Sequence, residues 1–282
     1  MITILRPGPF ATVQDLGRPG LAGIGVGASG AADQPSLRLA NRLVGNPESH
    51  AGLEITFGGL AVLFDRPAII ALTGAPCPAT RSGRAVDMYS PVHVSAGARL
   101  ELGLPTSGLR TYLAVRGGIA VGEVLHSRAT DTMSGLGPAP LTPGVTLPVG
   151  RETLEFPAVD LAPQQPFPDP LRLRIIPGPR EDWFVPEALR ILLSGKYHIS
   201  ADSNRVGVRL TGPALAHREP RELPSEGTVL GALQVPPSGQ PILFLADHPV
   251  TGGYPVIAVV HEADVPRAAQ GRPGQTVHFR LT

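Results

Sequence analysis

The stretch ADHPVTGGYP at positions 246–255 sets a carboxylate, Asp247, at the end of an apolar run, followed at once by His248, Thr251, Gly252, Gly253 and the phenol of Tyr254. An acid delivered to the rim of a sheet, beside glycines that let backbone approach a ligand, is one way to build a polar pocket. Asp247 is therefore the candidate general base or substrate-orienting carboxylate. His248 is either a proton carrier, as an imidazole can be near neutral pH, or a turn histidine facing solvent. Upstream, Ser203, Asn204 and Arg205 combine hydroxyl, amide and guanidinium at the entrance to a strand. Such a set can clamp a carboxylate or phosphate, and the alternative is a turn in which Asn204 bonds its own backbone. Ser225 and Glu226, and Gln234 ahead of the turn PPSG at 236–239, pose the same choice. Four such sets within about fifty residues point to one shared pocket.

Other motifs are weaker. GVGASG at 25–30 has the spacing of a dinucleotide fingerprint, but RPGLAG precedes it where a buried strand is required, so a nicotinamide or flavin site is not expected. A loop exposing backbone is expected instead, with Ser29, Gly30 and the helix start at Asp33 able to meet an anion through free amides. Ser29 within GASGA resembles a nucleophile elbow without its strand, and a turn serine is the default. There is no P-loop, because Lys196 is followed by Tyr197 and lacks the upstream glycine at the required spacing, so any nucleotide is held some other way. The eight histidines stand singly, which argues against a metal site, and Cys77 in GAPCP is expected to be a small buried side chain.

The chain has 282 residues with a net charge of +1, so it carries no electrostatic footprint for nucleic acid, and aromatics at 5% offer no stacking platform. Lys196 is the single lysine, so bidentate contacts to carboxylate or phosphate fall to arginine. One cysteine excludes an intrachain disulfide and fits a reducing compartment, and no long apolar stretch predicts a membrane span. A cytoplasmic protein is expected.

The elements that must position these groups are mostly strands. Glycine (34) and proline (32) punctuate short β-branched runs at 2–5, 60–64, 68–73, 92–95, 99–102, 111–116, 171–176, 206–210, 242–246, 256–260 and 277–281. Helical spacing is convincing in three places. The first is capped by Asp33, carries Leu37, Ala40, Leu43 and Val44 on one face, and ends near Gly45; the others run from about 186 to 194 and from 264 to 270. The proline-rich segment 156–170 is expected to be a linker between units at 1–155 and 171–282. Each half opens on a strand followed by Pro-Gly-Pro, at 7–9 and 177–179, a hint of two copies of one β-rich architecture.

Segments 7–9 (PGP), 12–18 (TVQDLGR), 29–33 (SGAAD), 40–46 (ANRLVGN), 112–118 (YLAVRGG), 203–205 (SNR), 225–227 (SEG) and 251–255 (TGGYP) occur in an order that resembles the biotin-dependent carboxyltransferase family, in particular its group of prokaryotic 5-oxoprolinase C subunits, formerly called allophanate hydrolase subunit 2. The resemblance spans nearly the whole chain. It implies a mainly β fold of two cyclophilin-like β-barrel subdomains with a few short helices, related to the carboxyltransferase domain of urea carboxylase. It also implies an ATP-dependent, hetero-oligomeric hydrolase that opens 5-oxoproline to glutamate with subunits A and B, inactive without them. Within that scheme Asp247, Asn204 and Gln234 are the expected catalytic groups, with Asn204, Gln234 and the amides near Gly252 and Gly253 as oxyanion donors. Arg205, Ser203, Ser225, Glu226, His248, Thr251 and Tyr254 complete the expected binding set. Where the family often has a methionine and an arginine-glutamine pair, this chain has Val206 and His248-Pro249. Two alternatives stand beside this reading. One is a biotin-dependent carboxyltransferase acting on urea or another amide, with biotin arriving on another chain; the other is a regulatory partner of the B subunit.

Overall fold

The computed structural model describes residues 1–159, 161–163, 166–219 and 223–282, and the expected connector at 156–170 lies partly outside them. The described chain gathers into two compact units. The first comprises Met1–Arg18, Ser29–Asp131 and Gly135–Phe167; the second comprises Pro19–Ala28, Thr132–Ser134 and Pro168–Thr282.

In the first unit, β1 (Ile2–Pro7), β4 (Leu60–Phe64), β6 (Ala79–Arg81), β7 (Arg84–Ala85), β9 (Arg99–Leu102) and β11 (Thr146–Leu147) form a six-stranded sheet in the order β11-β1-β4-β9-β6-β7. A second sheet is built from β2 (Phe10–Gln14), β3 (Gly52–Thr56), β5 (Ala68–Gly74), β8 (Pro91–Val94) and β10 (Arg110–Val115), in the order β2-β3-β10-β5-β8. Both are antiparallel throughout. The two-residue period of a strand sorts the side chains. Leu72 and Leu113 join Ile4, Val62 and Leu100 in one buried cluster drawn from both sheets, while their neighbours Ala71 and Ala114 face the other way, onto α1 (Gln34–Leu43). Small side chains there let the helix lie close. Asp33 caps α1 by accepting from Ser36 N at 3.1 Å, and Leu37, Ala40, Leu43 and Val44 are buried as their spacing predicts.

In the second unit, β12 (Leu171–Pro177), β13 (Tyr197–Ile199), β14 (Gly207–Thr211), β16 (Ala232–Gln234), β17 (Ile242–Phe244), β19 (Val256–Val260) and β20 (Thr276–Leu281) close a barrel in the order β12-β19-β16-β17-β14-β13-β20. All neighbours are antiparallel except β12 and β20, whose parallel register runs from Leu171↔Val277 to Ile175↔Leu281. Alternation fills the interior: Leu173, Ile175, Val208, Leu210, Val277 and Phe279 are buried, whereas Arg172, Arg209 and Arg280 are exposed. Two short helices, α2 (Ala188–Ser194) and α3 (Val265–Ala269), accompany the barrel. A separate two-stranded ribbon pairs β15 (Glu226–Gly227) with β18 (Thr251–Gly252). The mainly β class with few short helices is as expected, and every strand read from the sequence is present. Five strands of three residues or more lie outside the runs read from the sequence: β2, β3, β6, β13 and β16.

Candidate functional site

The register of β14 against β17 places Gly207 opposite Phe244, and the ladder continues outward through bonds from Leu245 N to Val206 O at 2.9 Å and from Asp247 N to Arg205 O at 3.0 Å. Arg205 and Asp247 are thereby cross-strand neighbours. Their side chains form a two-pronged pair, Nε to Oδ2 at 2.9 Å and Nη2 to Oδ1 at 3.0 Å, with only 3% and 0% of each side chain exposed. Oδ2 also accepts from the backbone N of Thr132 at 3.0 Å and from its Oγ1 at 2.6 Å. Thr132 belongs to this second unit although it lies 115 residues earlier in the chain.

This arrangement corrects the expected role of Asp247. A carboxylate without exposed surface, already accepting from a guanidinium, an amide and a hydroxyl, has no geometry for taking a proton from substrate. It is a buried latch. Arg205 is engaged in the same pair and does not present its fork to a substrate carboxylate. Asn204 is corrected as well: its Oδ1 accepts from Val206 N at 2.8 Å and Gly207 N at 3.3 Å, the local turn that an Asn at a strand entrance favours. Ser203 Oγ accepts from Arg209 N at 3.0 Å, so it closes the same hairpin.

The three N-terminal loop candidates are structural too. Ser29 Oγ donates to Thr130 O at 3.2 Å. Gly30 has φ of 95°, and a side chain there would begin 2.7 Å from Gly17 N. The amides expected to meet an anion are taken: Ala31 N donates to Asp15 O at 2.9 Å, Ala32 N to Glu54 Oε2 at 2.9 Å, and Asp33 N to Tyr112 Oη at 2.8 Å. Cys77 is buried as expected, and burial pushes its thiol up.

The remaining candidates converge on the β15–β18 ribbon. Gln234, 4% exposed, donates from Nε2 to Tyr254 O at 2.8 Å and lies against Gly252, where a Cβ would come 2.5 Å from that nitrogen. Gln234 thus holds the backbone of 252–254 and is not an open oxyanion donor. Ser225, Thr251, Gly253 and Tyr254 are exposed, with Ser225 Oγ about 4.0 Å from the Cβ position of Gly253. Glu226 receives Arg180 Nε at 3.0 Å in a half-exposed pair, and that guanidinium holds its carboxyl below the usual range.

His248 is the half-buried group here whose chemistry remains available. Its ring stacks on Phe244 with centroids 5.7 Å apart, and Nδ1 lies 2.8 Å from Pro249 O. A carbonyl oxygen can only accept, so Nδ1 carries the hydrogen and the lone pair of the neutral ring is at Nε2. Thr228, whose Oγ1 donates to the same Pro249 carbonyl and sits 3.2 Å from Nδ1, fixes this orientation. Thr132, Thr228 and Arg180 were not singled out from sequence, and no local signal links Arg180 to Glu226, 46 residues further along the chain.

A biotin arm tethered to this chain would need Lys196, an exposed residue in the Gly195-Lys196-Tyr197 connection between α2 and β13, and nothing there forms a recognisable attachment context. No helix among the described residues is long and apolar enough to cross a membrane. The chain is 40% identical over 282 residues to the C subunit of the Escherichia coli 5-oxoprolinase, covering 99% of this chain and 90% of that protein. It is 33% identical to the urea amidolyase of Saccharomyces cerevisiae, covering 99% of this chain and 16% of that larger protein. The crystal structure of TTHA0988 superposes with a TM-score of 0.90 at 36% identity, and this chain spans 55% of that one. A model of the carboxyltransferase domain, subdomains A and B, matches residues 24–281, and the chain belongs to this carboxyltransferase family.

Proposed function

We propose that this chain is the C subunit of an ATP-dependent 5-oxoprolinase, opening 5-oxoproline to glutamate together with subunits A and B. The observation that carries this reading is the near end-to-end similarity to the Escherichia coli protein, 40% identical over 99% of the chain. Chemically, a lactam carbonyl is a poor electrophile. Phosphorylation of its oxygen by ATP, supplied in the assembled complex, would make the ring carbon attackable, and the site must then support the negative charge that develops.

Within this chain the ribbon at 225–228 and 248–254 suits that work. His248 Nε2 takes a proton, with Nδ1 anchored on Pro249 O at 2.8 Å. The hydroxyls of Ser225 and Thr251 and the amide of Gly253, beyond the last paired residue of β18, offer donors to a developing oxyanion. Arg180, paired with Glu226 but partly exposed, would meet a substrate carboxylate by exchanging that partner. The Asp247–Arg205–Thr132 latch and Gln234 hold the segment that carries these groups.

The test is reconstitution: purified chain plus subunits A and B, with glutamate release from 5-oxoproline followed in the presence of ATP. Leaving out this chain is expected to abolish turnover, and His248→Gln to lower it by roughly 10²-fold with the fold intact. Full turnover by A and B alone would end the proposal. The similarity to urea amidolyase favours a second reading, carboxyl transfer from carrier-borne biotin to urea or another amide. Transfer of labelled carboxyl to such an amide, without 5-oxoproline hydrolysis, is the result that selects it.

A further inference from the structure

The geometry points to a binding site for a phosphate chain, of the kind a nucleoside triphosphate carries, in a cleft of the first unit remote in sequence from the ribbon described above. This cleft, about 660 Å³, is lined by Arg66, Arg81, Arg116 and Arg151 with His93 and Asp65 among its other residues. Its volume falls in the range of small-molecule sites, roughly 300–1,000 Å³.

Four guanidiniums face one carboxylate among the described lining residues, and that carboxylate, Asp65, is already paired with the amino group of Met1 at 2.5 Å. The chain as a whole carries only +1, so this cleft concentrates more positive charge than the entire protein has in excess. None of the four guanidiniums is paired with a carboxylate of the described residues. Arg116 donates to the carbonyls of Val44 at 2.7 Å and Leu154 at 2.9 Å, and Arg81 donates to the carbonyl of His93. Carbonyls orient a guanidinium without neutralising it. Arg66 and Arg151 are exposed and make no hydrogen bond or ion pair with a described residue, so their forks are free to close on an arriving anion.

One carboxylate would neutralise a single arginine and leave the others facing one another. A chain of two or three phosphates, each bearing one to two negative charges, matches the set. Nucleic acid fits poorly, because Phe64 is 1% exposed and offers no stacking face, which leaves the His93 imidazole as the one exposed aromatic ring among the described lining residues. The absence of a P-loop is consistent with anion capture by side chains in place of a glycine-rich backbone cradle. The inference goes beyond the lactam reading and stands on the cleft alone.

Calorimetric titration of the purified full chain with tripolyphosphate, ATP and glutarate tests it. Saturable binding of tripolyphosphate and ATP is expected with Kd below about 1 mM at low salt, weakening as salt rises, and with glutarate at least roughly tenfold weaker. The double variant R66A/R151A is expected to weaken phosphate binding by at least about tenfold, while R190A, at an exposed position of α2, leaves it unchanged. Because neither Arg66 nor Arg151 holds the fold, an unchanged thermal midpoint should accompany the loss. No saturation by either phosphate ligand, equal binding of glutarate, or unaltered binding by the double variant would overturn the assignment. The outcome is independent of turnover, so failure here leaves the 5-oxoprolinase reading untouched, and the reverse holds equally.

Discussion

Asp247→Asn separates a latch from a catalytic base. The substitution keeps the shape but removes the charge facing Arg205, whose side chain is 3% exposed and whose Nε and Nη2 lie 2.9 and 3.0 Å from the two carboxylate oxygens. Leaving a buried guanidinium without its counter-charge costs about 3–5 kcal/mol. For a unit of this size that corresponds to a fall of roughly 10–20 °C in the unfolding midpoint. Thr132 can still donate to the remaining amide oxygen, which places the expected loss nearer the lower end. Thermal unfolding monitored by circular dichroism, with chemical denaturation alongside, measures it. Replacing both partners, Arg205→Met with Asp247→Leu, should recover much of the loss, because an apolar pair removes the uncompensated charge along with the bridge. An Asp247→Asn protein that keeps its wild-type midpoint yet loses turnover in the assembled complex would refute the reasoning and restore the carboxylate to the chemistry.

Gly252→Ala would put a methyl group 2.5 Å from Gln234 Nε2, and is expected to break the 2.8 Å bond to Tyr254 O, costing about 1–3 kcal/mol in denaturant titrations; an unshifted midpoint would contradict the packing described. Asp264 accepts from Arg174 N, Nε and Nη2, each at 2.9 Å, and chiefly through that guanidinium its carboxyl lies below the ordinary 3.8. Its folded value being depressed, its contribution is full above the unfolded value and disappears as pH falls through the folded one, so Asp264→Asn should flatten the stability profile in that acid window. Tyr112 is pushed well above 10.0 by burial first and by Glu54 second, and its hydroxyl donates to Glu54 Oε2 at 2.8 Å. Stability from this group is present below its unfolded value and lost as pH rises through the higher folded one; Tyr112→Phe should cost about 1–3 kcal/mol at neutral pH and remove that alkaline loss.

Local signals in the chain were read well where chemistry and position are adjacent. Asp33, Leu37, Ala40 and Leu43 are a cap and a stripe within ten residues of one another, and α1 follows from them. β3 escaped because Gly52 opens it and Glu54 stands in its middle, an acid that a strand tolerates there because Ala32 N and Tyr112 Oη donate to it and the buried Arg110 guanidinium pairs with it. Those partners are distant in sequence. The same blindness misplaced Asp247: as a lone acid past an apolar run it looks available, and nothing near it announces Thr132 or the register that delivers Arg205. Asn204 failed differently, since the turn reading was visible in its own neighbours and is the one realised.

The parallel pairing of β12 with β20 governs when the barrel can form. A ribosome makes Leu171 more than a hundred positions ahead of its partner Val277, so during synthesis the first barrel strand waits, one side unmatched, until the last has emerged. Closing so long a span carries an entropic toll that local hairpins avoid, and slows the step. In that interval an open strand edge beside apolar faces is the region most exposed to adhesion with other nascent chains.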